Sequence, residues 1–157
     1  MNSRIEWTTE DFDDMSWHDA HVHAFRIVES EEKSAGTAEL YLDIDYILEW
    51  VKSEDGGLRF VVAQATLQFH DVLGLKFSLD YAKVEAGMCA FSIDGIERQI
   101  IRYPNGHAEY KWIMSINWPS GFIEFTSSGF TQRLVGDIVR DSGQSLASEQ
   151  RKPWLPR

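Results

Sequence analysis

Leu40-Tyr41-Leu42-Asp43-Ile44-Asp45-Tyr46-Ile47-Leu48 sets the fold class. In an extended chain Leu40, Leu42, Ile44, Tyr46 and Leu48 fall on one side, with Tyr41, Asp43, Asp45 and Ile47 on the other. That period of two describes a strand with one dry face, and it predicts that the aspartates opposite meet water.

The same period continues on both sides. Upstream, His21, His23, Phe25 and Ile27 alternate with Val22, Ala24, Arg26 and Val28, and residues 30–36 form a polar turn. Downstream, Ser53-Glu54-Asp55-Gly56-Gly57 reads as a hairpin turn. Val61, Ala63, Ala65, Leu67 and Phe69 then share a face. A break is expected at 71–74, a strand over 75–81, and another over 89–93 that turns at Asp94-Gly95 into 96–103. Pro104-Asn105-Gly106 is the next turn signal. Tyr110, Trp112, Met114, Ile116 and Trp118 form an apolar stripe on one further strand, followed by strands over 122–126 and 130–135. Core packing is the default for such a stripe, with an aromatic platform for sugar or protein as the alternative.

Only the N-terminus departs from this pattern. Thr8 with Asp11 three residues on predicts a short acidic helix through about Met15. The fold class is therefore all-β, an antiparallel β-sandwich or open barrel of about 8–9 strands. It carries a short N-terminal helix and an irregular C-terminal tail over 137–157. The 157 residues fit one domain, 1–157, with 1–16 as an acidic N-terminal segment, long enough to bury roughly 70% of the unfolded surface.

Charge is uneven. Residues 1–57 hold fifteen Asp/Glu against four Lys/Arg, a net of −11, within a total of −10. This argues against nucleic acid, whose phosphates need Lys and Arg, and points to one acidic face. Such a face steers a basic protein partner. The residues expected to contact it are Asp11, Phe12, Asp13, Asp14, Trp17, Glu49 and Trp50, with Phe12 as an apolar anchor in the acidic run. Trp7, Trp17, Trp50 and Trp154 lie near strand ends, where partial exposure is expected.

No stretch of roughly 18 apolar residues predicts a membrane span, and no basic, apolar leader opens the chain. A single cysteine, Cys89, excludes an internal disulfide, so a cytoplasmic location is expected. Between Met88 and Ala90, Cys89 reads as an inert core thiol. Oligomeric state leaves no trace in the pattern.

Trp17-His18-Asp19-Ala20-His21-Val22-His23 is the one cluster suggestive of chemistry. His21 and His23 on one strand face, with Asp43 (or Asp45) from a neighbouring strand, would make a two-histidine, one-carboxylate metal site. The alternative is a set of cross-strand His–Asp pairs. No nucleophile elbow, zinc-protease helix motif or phosphate loop is present. No cofactor is expected.

Ser16-Trp17-His18-Asp19 and 42–50 (Leu-Asp-Ile-Asp-Tyr-Ile-Leu-Glu-Trp) resemble segments of small uncharacterised bacterial all-β proteins, and the chain's size and acidity are similar to those of toxin-immunity proteins. The resemblance covers the first third and implies a non-enzymatic binder; the acidic charge of residues 1–57 adds the expectation that it inhibits a basic partner. It carries over no catalytic residue. A small-ligand or carbohydrate-binding barrel and a metal-dependent enzyme using His21 and His23 are the competing readings.

Overall fold

The computed structural model describes residues 4–32, 36–83 and 87–154. The centre of the expected turn at 30–36, the first three residues and the last three of the expected tail lie outside the described residues.

Nine strands follow in chain order: β1 (Glu6–Thr8), β2 (His21–Glu29), β3 (Ala38–Lys52), β4 (Leu58–Leu79), β5 (Phe91–Arg102), β6 (Ala108–Trp118), β7 (Ser120–Ser127), β8 (Gly129–Leu134) and β9 (Val139–Ser142). All pairings are antiparallel. β4 organises them. One edge runs against β3 from Ala38↔Val72 to Lys52↔Leu58. Its other edge takes β9 near Phe60, β8 over Ala65–His70 and β7 over Leu73–Leu79. From β7 the ladder passes to β6 and β5. It then meets β2 at His21↔Ser92 and Val22↔Phe91, a junction lengthened by the Asp19 N–H to the Ile93 carbonyl and the Ile93 N–H to the Ala20 carbonyl. The path β4-β3-β2-β5-β6-β7 thus returns to β4 and closes a six-stranded barrel, within the expected all-β class but closed rather than open.

Two expected interruptions are bends instead. The break at 71–74 lies within the continuous β4, because left-handed Asp71 (φ 52°) and Gly74 (φ 62°) redirect the strand without ending it. Glu39 holds the bend by accepting the Asp71 N–H at 2.8 Å. Asp94-Gly95, expected to turn, is a bulge inside β5. Gly121 makes the β4–β7 closure possible, since a Cβ there would run into the Ser78 carbonyl oxygen.

The dry face of β3 lies inside as its period requires. Leu40, Leu42, Ile44 and Tyr46 join Leu67, Phe69, Trp112, Met114 and Phe125 in one core. Trp112 is fully buried, edge-on to Phe69 at 5.2 Å, so most of the 110–118 stripe is core, not platform. Trp118, past the last buried position of β6, is exposed.

The acidic N-terminal helix is a 3₁₀ turn, Thr9–Asp14, tied by the Thr8 N–H to the Asp11 carboxylate at 2.8 Å. Cys89 is exposed just before β5, not a core thiol, because the strand begins only at Phe91. Among the described residues no helix is long and apolar enough to cross a membrane.

Candidate functional site

The outer face of β3 and β4 overturns the expectation that Asp43 and Asp45 meet water. They are 5% and 0% exposed. Buried carboxylates need both charge and hydrogen-bond partners, and residues 143–154 bring them. This segment crosses the face as a strap. The Arg151 guanidinium bridges the two acids, one nitrogen to each. Asp45 also accepts the Leu146 N–H at 3.0 Å and the Ser145 hydroxyl at 3.2 Å. Asp43 accepts Gln64 Nε2 at 3.2 Å.

Gln64 in turn grips the strap's backbone. Its Oε1 accepts the Lys152 N–H at 2.7 Å and its Nε2 donates to the Lys152 carbonyl at 3.0 Å. Trp154 Nε1 donates to Thr66 at 2.9 Å. Leu146 is buried in a small apolar cluster with Ile47, Phe60 and Val62. The expected irregular tail over 137–157 is therefore neither loose nor wholly irregular: it begins with β9 on the edge of β4, includes a 3₁₀ turn at Ser148–Gln150, and is pinned in place.

A bulge in β2 between Val22 and Ala24 brings His23 to the same carboxylate, with Nε2 2.7 Å from Asp45 Oδ2. Burial first, then the Arg151 charge, holds the His23 imidazole below its ordinary pKa, while Asp43 opposes them. His23 is thus read as neutral, with Nε2–H donated to Asp45. His21 is held low as well, mainly by burial, and its Nδ1 is buried without a hydrogen-bond partner. The expected His21–His23–Asp43 metal set is not assembled. Arg151 and Gln64 occupy Asp43, and among the described residues no group of three or more His, Cys, Asp or Glu is placed to hold a metal ion.

The residues expected to contact a partner divide. Trp17 is 3% exposed, and its indole N–H donates to Gln132 at 2.7 Å. Phe12 turns inward, 5.4 Å from Trp112, with the Arg98 guanidinium over its ring. Both serve the core, because a ring beside a barrel end gains more from packing than from water. Trp7 is likewise buried. Asp11 is engaged with Arg4 at 2.6 Å. Asp13, Asp14, Glu49 and Trp50 stay on the surface.

Trp50, 42% exposed, stacks on His18 (6.0 Å, 12° between planes) and meets Phe60 edge-on at 4.9 Å. His18 Nδ1 donates to the Asp94 carbonyl at 2.9 Å. Asp19 accepts from Asn117 at 3.0 Å, next to Trp118, which is 47% exposed. His18, Asp94 and Trp118 thus gather near Trp50; the sequence pattern marks them only separately, in the Trp-His-Asp run, a turn and the aromatic stripe, and not as one surface.

The single acidic face does not form. The Glu29–Glu32 and Glu54–Asp55 groups flank opposite ends of the 15-residue β3, a strand roughly 45 Å long. Asp43 and Asp45 are buried between them. The chain matches no protein-family model, no curated protein and no solved structure.

Proposed function

We propose that this chain is a non-enzymatic protein-binding domain that engages a basic partner through the surface bearing His18, Trp50 and Asp94, as an inhibitor of the immunity type. The observation that carries this reading is the half-exposed Trp50, held by ring contacts with His18 and Phe60 beside the exposed carboxylates of Glu49 and Asp94. A large aromatic already fixed in orientation loses little entropy on binding, which is why Trp dominates interface hot spots. The flanking carboxylates supply attraction for Lys and Arg. The single cysteine suits a reducing compartment, and the cytoplasm is the proposed setting.

The test is affinity capture with the immobilised full chain at low and high salt, repeated with Trp50→Ala and Asp94→Lys. The reading expects a basic protein retained at low salt, released by salt and lost with both variants. Retention that is indifferent to salt and to both substitutions refutes it. A glycan panel monitored by tryptophan fluorescence examines the carbohydrate reading, whose aromatic stripe is now mostly core.

A further inference from the structure

Two buried carboxylates two residues apart on one strand demand a cation, yet no neighbouring strand supplies it. The cation is Arg151, more than a hundred residues further along the chain. We propose that the outer face of β3 and β4 is a recognition groove for an extended, arginine-bearing segment of a partner protein, filled in the free chain by its own residues 143–154. The proposal deepens the proposed function, on which it rests, by naming the chemistry a basic partner presents to a second surface.

The strap is held as a bound peptide is held. A guanidinium fork fits the two acids, a geometry an ammonium cannot reproduce. The Gln64 amide pairs both the N–H and the C=O of residue 152, so it reads a peptide unit whatever the side chain. Thr66 takes an indole N–H. Leu146 is the one strap side chain in the buried apolar cluster of that face. The hold is therefore built from polar contacts, made where the strap runs extended past the 3₁₀ turn at Ser148–Gln150, that another extended stretch carrying arginine repeats.

Competition sets the condition for exchange. Tethering gives the strap an effective concentration on the order of millimolar, so a displacing segment needs contacts beyond those the strap makes. Two lie adjacent. A shallow concavity lined by Tyr41, Gln68, Thr131 and Arg133 shares Thr66 with the strap's end. Trp50 is five residues beyond Asp45 on β3, roughly 17 Å along the strand. A partner docked at Trp50 is within reach of the acid pair.

The experiment titrates a synthetic peptide with the sequence of residues 148–154 into full-length wild type and full-length Arg151→Ala, by calorimetry. The expected result is at least tenfold tighter binding to Arg151→Ala, weakened at least tenfold when lysine replaces the peptide's arginine. A folded Arg151→Ala that ignores the peptide at millimolar concentration overturns the proposal, as does a lysine peptide that binds equally well. Should Arg151→Ala fail to fold, Trp154→Ala replaces it, its strap lacking the Thr66 contact. Binding there several-fold tighter than to wild type supports the groove, and equal binding refutes it. A wild-type dimer that the peptide dissociates assigns the groove to a second copy and also overturns the proposal. Peptide failure leaves salt-sensitive capture through Trp50 untouched, so the two readings fail separately.

Discussion

His23 Nε2 lies 2.7 Å from Asp45 Oδ2, on a carboxylate that also accepts the Leu146 N–H and meets Arg151. Two segments, β2 and the C-terminal strap, therefore converge on one buried acid of β3. The stability of this face depends on all of them together, since a half-satisfied buried network is costlier than none.

Arg151→Ala removes the guanidinium that bridges Asp43 and Asp45. Breaking a buried ion pair from one side costs about 3–5 kcal/mol, and urea denaturation should show a loss of that order. Arg151→Lys should recover only part of it, because a point charge cannot span both acids. A loss within experimental error for Arg151→Ala would mean that the strap contributes nothing to the fold.

Acid should weaken the protein through His23 and His21. Both imidazoles titrate below the ordinary 6.5 when folded, so the unfolded chain binds more protons as pH falls through that value. Their contribution is complete above about pH 6.5 and drains away toward the lower folded values. Urea midpoints at pH 7.5 and 5.5 should differ in that sense. His23→Gln should flatten the dependence; an unchanged profile would remove His23 from the account.

Gly121→Ala should strain the β4–β7 closure, since its Cβ meets backbone that cannot swing aside. A loss of about 1–3 kcal/mol is expected. Gly95→Ala, with open space around the same atom, is the control and should be nearly neutral. Thermal melts of the pair compare them directly.

Two tryptophans should behave oppositely. Trp112→Ala empties a fully buried site and should cost about 3–5 kcal/mol. Trp50→Ala, on the surface, should cost under about 1 kcal/mol while abolishing partner capture. Equal stability losses in urea would contradict the placement of Trp50 outside the core.

Cys89, exposed before β5, should react with an aromatic disulfide reagent in the folded protein. Reaction only after denaturant is added would return it to the interior.

Strand character is legible wherever one face is apolar, as along Leu40–Tyr46, because alternation is a local property of the chain. The bend at Asp71–Gly74 was misread as an end: turn residues report backbone conformation, not whether the ladder resumes beyond them. The acidic run at 10–14 reads as surface, and Asp13 and Asp14 are; Phe12, between Asp11 and Asp13, points inward because the 3₁₀ turn faces Trp112. In the candidate site, His23 and Asp45 were visible as a possible cross-strand pair. Arg151 was not, since nothing in a polar C-terminal stretch announces which distant charge it will meet.

Alternation along the chain is enough to give an antiparallel β protein and the apolar side of each central strand, because side-chain direction along a strand follows from backbone geometry alone. Tertiary structure decided the rest: that the ring closes through Gly121, that the N-terminal acids do not form one face, and that Asp43 and Asp45 lie under Arg151. Those outcomes depend on the meeting of residues forty to more than a hundred positions apart. Charge and burial there are set by neighbours in space, which local periodicity does not encode.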